Sequence, residues 1–209
     1  MAQLKGLYAI TDETLTPSQT VLAQTQAALQ GGAQIVQLRD KTAATQTLIP
    51  LAAKLKALCE AHEALFVIND RIDLARAVQA HGVHLGEEDG GIEQAREILG
   101  SGAIVGISCY GDLERAKKMQ EAGADYVAFG SFFISPTKPR SACVPIETLT
   151  RAKTALRIPL CAIGGITLDN APSLIKAGAD MIATISDLWQ AEEITTQSKH
   201  YATLFEGTR

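Results

Sequence analysis

No apolar run in the 209-residue sequence approaches the roughly 20 residues needed to span a bilayer. The start, Met1 to Gly6, carries no apolar signal-peptide core, so neither export nor membrane insertion is expected. Basic residues are not in excess either: 19 Lys and Arg stand against 23 Asp and Glu, a net charge of −4. A nucleic-acid surface needs a basic face to neutralise phosphates, so no nucleic-acid partner is expected. The cysteines Cys59, Cys109, Cys143 and Cys161 form no CxxC pair, and none lies near a histidine at zinc spacing. They read as buried or incidental thiols of a reducing compartment, which places the protein in the cytoplasm. Also missing are a GxGxxG after the first apolar run, a linker and any low-complexity tract.

What the sequence does have is alternation. Short apolar runs at 7–10, 35–39, 65–69, 83–85, 104–108, 126–130, 160–163 and 181–185 read as strands. Between them, residues 21–29, 48–61, 93–99, 113–121, 146–155 and 171–176 carry apolar positions three and four apart, the signature of amphipathic helices. A weaker helix follows Asp73, and the last begins near Leu188.

A faint repeat supports a parallel arrangement. Residues 31–36, 122–127 and 177–182 each pass from glycine and alanine through a polar residue into an apolar run. A glycine able to take the left-handed conformation stops a helix, and a buried strand starts at once. Recurring βα units of this length need crossover helices rather than hairpins. The expected fold is therefore α/β, a single-domain (β/α)8 TIM barrel over residues 1–209, near the lower end of the usual length.

Polar residues of chemical potential gather at the C-terminal ends of the predicted strands, the active face of this architecture. The second strand runs into Gln37, Leu38, Arg39, Asp40 and Lys41. Alternation puts Gln37, Arg39 and Lys41 on one side, aimed into a barrel mouth. Two cations and an amide suit a diphosphate, since Arg grips oxyanions bidentately and Lys acts as a movable point charge. The same residues equally suit an Arg–Asp ion pair that caps a strand. The third strand stops at Asn69 and Asp70, which is either a turn signal or an amide beside a hard carboxylate for Mg²⁺. Glu87, Glu88 and Asp89 follow the fourth and offer a second carboxylate; a merely solvated loop would show no preference among the three.

Ser108 ends the fifth strand, as a rim hydroxyl or a helix cap. After the sixth, Ser135, Pro136, Thr137 and Lys138 place two hydroxyls and a cation together as an oxyanion cradle, while Phe132 and Phe133 suit barrel core or lid. Gly164 and Gly165 follow the seventh strand, and Ile185 with Ser186 ends the eighth. Paired glycines admit backbone N–H groups close to a phosphate, and barrels often bind phosphate there; tight turns use glycines too. Two anion sites follow, one cationic and metal-assisted, the other lined by hydroxyls and backbone.

In order and spacing, several motifs together resemble the thiamine-phosphate synthase family over essentially the full length. They are Tyr8 to Asp12, Gln37-x-Arg39-x-Lys41, Asn69-Asp70, His84 to Asp89, Gly106 to Ser108, Ser135 to Lys138, Ile163 to Ile166 and Ile185-Ser186. The resemblance implies a Mg²⁺-dependent transferase. It implies that Gln37, Leu38, Arg39, Asp40, Lys41, Asn69, Ser108 and Lys138 hold an aminopyrimidine diphosphate, with Arg39, Lys41 and Lys138 as the catalytic cations. Asp70 and Asp89 would bind Mg²⁺. Ser135, Pro136, Thr137, Gly165, Ile185 and Ser186 would hold a thiazole phosphate. The implied reaction joins the two substrates into thiamine phosphate and releases pyrophosphate, with CO₂ as well where the thiazole is carboxylated. Against the family pattern, Ser135 replaces a usual Thr, Ile134 a common Pro and Glu87 a frequent Gln. Ser135 keeps the hydroxyl; Glu87 either adds charge near the metal or faces solvent.

Three rivals fit less of the sequence. A thiazole tautomerase shares the barrel and the thiazole-phosphate pocket but has no need of the Gln37, Arg39, Lys41, Asp70 and Asp89 set. A Schiff-base aldolase needs a Lys within a strand, and no predicted strand holds one. A non-catalytic sensor of thiamine intermediates would have no use for the whole metal and diphosphate set. A homo-oligomer is compatible with the synthase resemblance and not required by it. Trp189 and His200 read as packing or surface residues.

Overall fold

Strands buried on both faces carry near-continuous apolar runs, and here eight of them close into one parallel barrel in chain order. They are β1 (Gly6–Ile10), β2 (Ile35–Leu38), β3 (Leu65–Asn69), β4 (Gly82–Leu85), β5 (Ile104–Tyr110), β6 (Tyr126–Phe129), β7 (Leu160–Ile163) and β8 (Met181–Thr184). The crossovers are α1 (Val21–Gln30), α2 (Thr45–Ala61), α3 (Ile72–Val78), α4 (Ile92–Leu99), α5 (Leu113–Glu121), α6 (Glu147–Ala155) and α7 (Ala171–Lys176), followed by α8 (Ser186–Trp189) and α9 (Ile194–Thr203). The structure, a computed structural model, describes residues 3–134 and 143–206. Among these residues no helix is long and apolar enough to cross a membrane.

Period-two alternation sorts each strand between two apolar layers. Leu7, Val36, Phe66, Val83, Ile107 and Ile182 pack outward against the helices. Tyr8, Ile35, Val67, Tyr126, Met181 and Ala183 fill the barrel interior. Cys59, Cys109 and Cys161 are buried and all four cysteines are unpaired. Burial pushes the Cys59 and Cys109 thiols up to about 12.

The repeat has a definite structural job at the bottom of the barrel. Gly123 and Gly178 take φ of +96° and +115°, and the following Ala124 and Ala179 donate back to Met119 and Leu174 at 2.9 and 3.1 Å. Each is a Schellman stop. The next residue is an aspartate whose carboxylate accepts an N–H near the start of the neighbouring strand: Asp125 from Val105 at 2.7 Å, Asp180 from Leu160 at 2.9 Å. Arg96 and Lys153 neutralise these carboxylates at 2.7 and 2.6 Å. The polar residue of the repeat thus belongs to strand initiation, at the end of the barrel away from the chemistry.

Four strands end elsewhere than expected: β6 and β8 each stop one residue early, at Phe129 and Thr184, and β2 and β5 differ for local reasons. β2 stops at Leu38 rather than at 39, because a side chain replaces the main-chain partner there: the Arg39 N–H donates to the Thr11 hydroxyl at 2.9 Å, which donates back to the Arg39 carbonyl at 3.3 Å. β5 runs past Ser108 to Tyr110 through a register shift against β6, the geometry of a bulge at a barrel rim. The last helix is two, with α8 closing on Trp189, whose indole N–H donates to the Ile10 carbonyl at 2.6 Å.

Candidate active site

The barrel interior is not wholly apolar. Tyr8, Gln37, His84, Ser108 and Tyr126 come from five strands and join in one hydrogen-bonded line. Gln37 Nε2 donates to the Tyr8 hydroxyl at 2.6 Å, and Tyr8 meets the Tyr126 hydroxyl at 2.9 Å. His84 bridges Tyr126 through Nδ1 and Ser108 through Nε2, each at 2.9 Å. Room for the Tyr126 ring is made by Gly106, where a Cβ would stand 2.0 Å from a ring carbon. Burial pushes both phenols above their usual range and pushes His84 down to about 4, with the Asp89 charge opposing. Gln37 is 2% exposed and so lies inside the barrel beneath the mouth, not free at its rim.

Above this line stand the acids and cations. Asp70 follows β3 in the left-handed region at φ +61°, one of the few non-glycine residues to do so. Its carboxylate lies within hydrogen-bonding reach of Asp89 and 3.3 Å from Lys41 Nζ. Partial burial, with the neighbouring Asp89, pushes the Asp70 carboxyl up, and Lys41 works against the shift. Within the acidic triplet the preference is clear. Asp89 turns inward and accepts the Gly86 N–H at 2.8 Å. Glu87 is 69% exposed and faces Arg115 at 3.8 Å, so the extra charge is directed to solvent. Among the described residues no group of three metal-ligating side chains forms. Two adjacent carboxylates nonetheless fit Mg²⁺, which takes one or two from protein and completes its shell with phosphate oxygens and water.

Other residues shape the loops. Arg39 pairs with Glu13 at 3.4 Å rather than with Asp40. The Asp40 carboxylate turns back to accept from the Thr42 and Ala43 N–H groups, both at 2.8 Å, and from the Thr42 hydroxyl at 3.0 Å. The capping ion pair that the sequence left open is therefore absent, and Asp40 acts on the loop that carries Lys41. Arg71 ties that loop to α3 by donating to the Ala43 and Asp40 carbonyls at 2.7 and 2.9 Å. Arg115 donates from Nε to the Ser108 carbonyl at 3.0 Å.

On the opposite rim the loops after β6 and β7 pair with each other. Phe132 and Phe133 donate to the Ile163 and Gly164 carbonyls at 3.2 and 3.0 Å. Phe132 is buried in the core, as its sequence context suggested. Gly165, at φ +63°, touches the Phe133 and Ile134 carbonyls so closely that a Cβ would fall 2.5 Å from the latter. Ile185 and Ser186 form the junction of β8 and α8. Ser135, Pro136, Thr137 and Lys138 lie outside the described residues. A cleft of about 440 Å³ also opens beside α9, lined by Ser186, Asp187, Glu192, Glu193 and His200. Its carboxylates disfavour a phosphate there.

A sequence model described as thiamine monophosphate synthase matches residues 7–188. The chain belongs to this family. It is 46% identical to the thiamine-phosphate synthase of Thioalkalivibrio sulfidiphilus, over 98% of this chain and 97% of that protein. Identity to the thiamine-phosphate synthase of Alcanivorax borkumensis is 44%, over 99% and 97%. Its fold matches that of a solved thiamine phosphate pyrophosphorylase from Pyrococcus furiosus with a TM-score of 0.86 and 39% identity, covering 96% of this chain and 95% of that one.

For this thiamine monophosphate synthase family member, sequence reasoning brought Gln37, Lys41, Asn69, Asp70, Asp89 and Ser108 to one end of the barrel, and the fold puts them there. It missed Glu13, Arg71 and Arg115, and gave Tyr8 and Tyr126 no part in a polar line. The available signal for the tyrosines was a phenol at an inward-facing position of an otherwise plain apolar strand.

Proposed function

We propose that the chain condenses an aminopyrimidine methyl diphosphate with a thiazole phosphate to give thiamine phosphate and pyrophosphate. Family membership supports the reaction class. The observation that carries the site is the Asp70–Asp89 carboxylate pair beside Lys41, with the Asp89 charge acting on His84 in the line from Gln37 to Ser108. In the reaction the bond between the pyrimidine methylene carbon and the diphosphate oxygen breaks, and its electron pair leaves with pyrophosphate. The thiazole nitrogen lone pair forms the new C–N bond. A carboxylated thiazole would also lose CO₂.

The aminopyrimidine ring can feed electron density to the methylene as the leaving group departs, so the protein need supply no nucleophile. Its tasks are alignment and charge stabilisation. Arg39 and Lys41 face the departing oxyanion, joined by Lys138 from the segment outside the described residues. Gln37, Asn69 and Ser108 hold the pyrimidine portion, and Leu38 with Asp40 shapes the wall and loop beside it. Asp70 and Asp89 would hold Mg²⁺, which would supply further neutralisation of the leaving pyrophosphate. The thiazole phosphate sits against Gly165, Ile185 and Ser186, with Ser135 to Thr137 completing its cradle. Four unpaired thiols support a reducing cytoplasm as the compartment.

The decisive experiment supplies purified protein with the pyrimidine diphosphate, the thiazole phosphate and Mg²⁺, with and without chelator. Thiamine phosphate and pyrophosphate in equal amounts, lost on chelation, are the expected products. A folded sample that makes neither, beside an active control enzyme, overturns the assignment.

A further inference from the structure

The protons of the line from Gln37 to Ser108 can be placed one by one. The Gln37 amide nitrogen only donates, so its proton goes to the Tyr8 oxygen at 2.6 Å. A phenol has one proton, and the other partner of the Tyr8 hydroxyl is Tyr126 at 2.9 Å. Tyr8 therefore donates to Tyr126. The reverse would crowd two donors onto Tyr8 and strand its own proton in an apolar interior. Tyr126, an acceptor toward Tyr8, sends its proton to His84 Nδ1 at 2.9 Å. A doubly protonated imidazole would leave that proton with no acceptor, so the ring is neutral and carries its hydrogen on Nε2. From there it donates to Ser108 Oγ at 2.9 Å. Ser108 has then accepted from within the barrel and keeps its own proton for a ligand in the mouth.

We propose that Tyr8, Tyr126 and His84 are positioning residues of a one-way hydrogen-bond relay that makes Ser108 a donor to the aminopyrimidine diphosphate. The proposal rests on the pyrimidine assignment of Ser108 given above. It deepens that assignment by giving Ser108 a proton directed to an acceptor of the substrate, either a ring nitrogen or a diphosphate oxygen. The missing Cβ of Gly106 is part of the device, since any side chain there would displace the Tyr126 ring.

The tautomer of His84 is the direct readout. In ¹⁵N NMR of the full-length protein labelled at histidine, with His84 assigned by the loss of its signals in His84→Gln, Nδ1 should be bare and Nε2 protonated. In Tyr126→Phe the tautomers should mix. The KM for the pyrimidine diphosphate should rise about tenfold, as expected for one lost hydrogen bond, with the KM for the thiazole phosphate unchanged. A protonated Nδ1 in the wild type, which requires the Gln37 amide turned over, overturns the relay. So does a folded Tyr126→Phe in which both KM values rise together, the mark of a merely structural role. If Tyr126→Phe does not fold, Tyr8→Phe cuts the line one step earlier with the same expected readouts. The NMR measurement needs no turnover, so an inactive chain with Nε2-protonated His84 overturns the synthase assignment alone.

Discussion

Lys41 holds its ammonium 3.3 Å from the Asp70 carboxylate, and Asp89 lies within hydrogen-bonding reach of that same carboxylate. Two neighbouring carboxylates repel, and a lysine 58% exposed to solvent compensates weakly. The fold therefore tolerates an unfavourable pairing at the place where a cation would relieve it. Asp70→Asn removes the repulsion and the proposed metal ligand together. Turnover should fall by about 10²–10³-fold, corresponding to a few kcal/mol of charge stabilisation. In chelator the melting temperature should not fall and should rise slightly. Kinetics against Mg²⁺ concentration, paired with thermal melts, check both halves; near-wild-type turnover sinks the metal assignment.

Arg39 and Glu13 make a half-buried pair at 3.4 Å, and the two partners are not equivalent. A pair of this exposure contributes little to stability, so Glu13→Gln should alter kcat/KM by less than about fivefold. On the proposed reading Arg39→Ala removes a guanidinium assigned to the departing oxyanion and should lower kcat by about 10²-fold or more. Steady-state kinetics on the two variants decide. Equal losses would mean that the ion pair itself, rather than the arginine, is what the reaction needs.

Asp40 governs the loop carrying Lys41. Partial burial pushes its carboxyl up, but the Ala43 and Thr42 amides, the Thr42 hydroxyl and the charge of Arg71 together hold it below the usual carboxylate range. A depressed native pKa stabilises the fold above the unfolded value near about pH 4, and that contribution disappears as pH falls through the native value. Asp40→Ala should therefore cost roughly 1 kcal/mol at neutral pH, typical of a lost capping carboxylate. The gap from wild type should close below about pH 4. Urea melts at several pH values measure it, and a pH-independent gap would assign the loss to packing.

The barrel is legible in the sequence because strands buried on both faces must be apolar throughout, and helix stops such as Ala122-Gly123-Ala124 recur where the chain re-enters the sheet. Asp70 is legible because it ends an apolar run on the active face of the architecture, whereas the pattern alone does not single out Asp89 from Glu87 and Glu88. Parity fails one residue beyond β2. The ladder ends at Leu38, so Gln37 enters the interior while Arg39 turns to Glu13 and Lys41 to Asp70. Arg71 and Arg115 stand where helices begin, and spacing along the chain does not say which neighbouring loop a long side chain will reach. Tyr8 and Tyr126 are 118 residues apart and meet only once the barrel closes.

The rim opposite the acids gives the sharpest steric contrast. Gly164 holds φ at +103°, and a Cβ there would sit 1.9 Å from the Ser131 hydroxyl and 2.6 Å from its Cα. An alanine must pay the left-handed penalty of about 1–2 kcal/mol and also push the β6 loop aside, at about 1–3 kcal/mol for overpacking. Gly164→Ala should therefore destabilise the fold by about 2–4 kcal/mol in urea melts. Because Phe133 donates to the Gly164 carbonyl at 3.0 Å, the displaced loop leads directly into residues 135–138. The KM for the thiazole phosphate should rise more than that for the pyrimidine diphosphate, whose proposed partners Asp70, Lys41 and Ser108 lie at the ends of strands across the barrel mouth. A larger effect on the pyrimidine substrate would move the thiazole-phosphate site away from this rim.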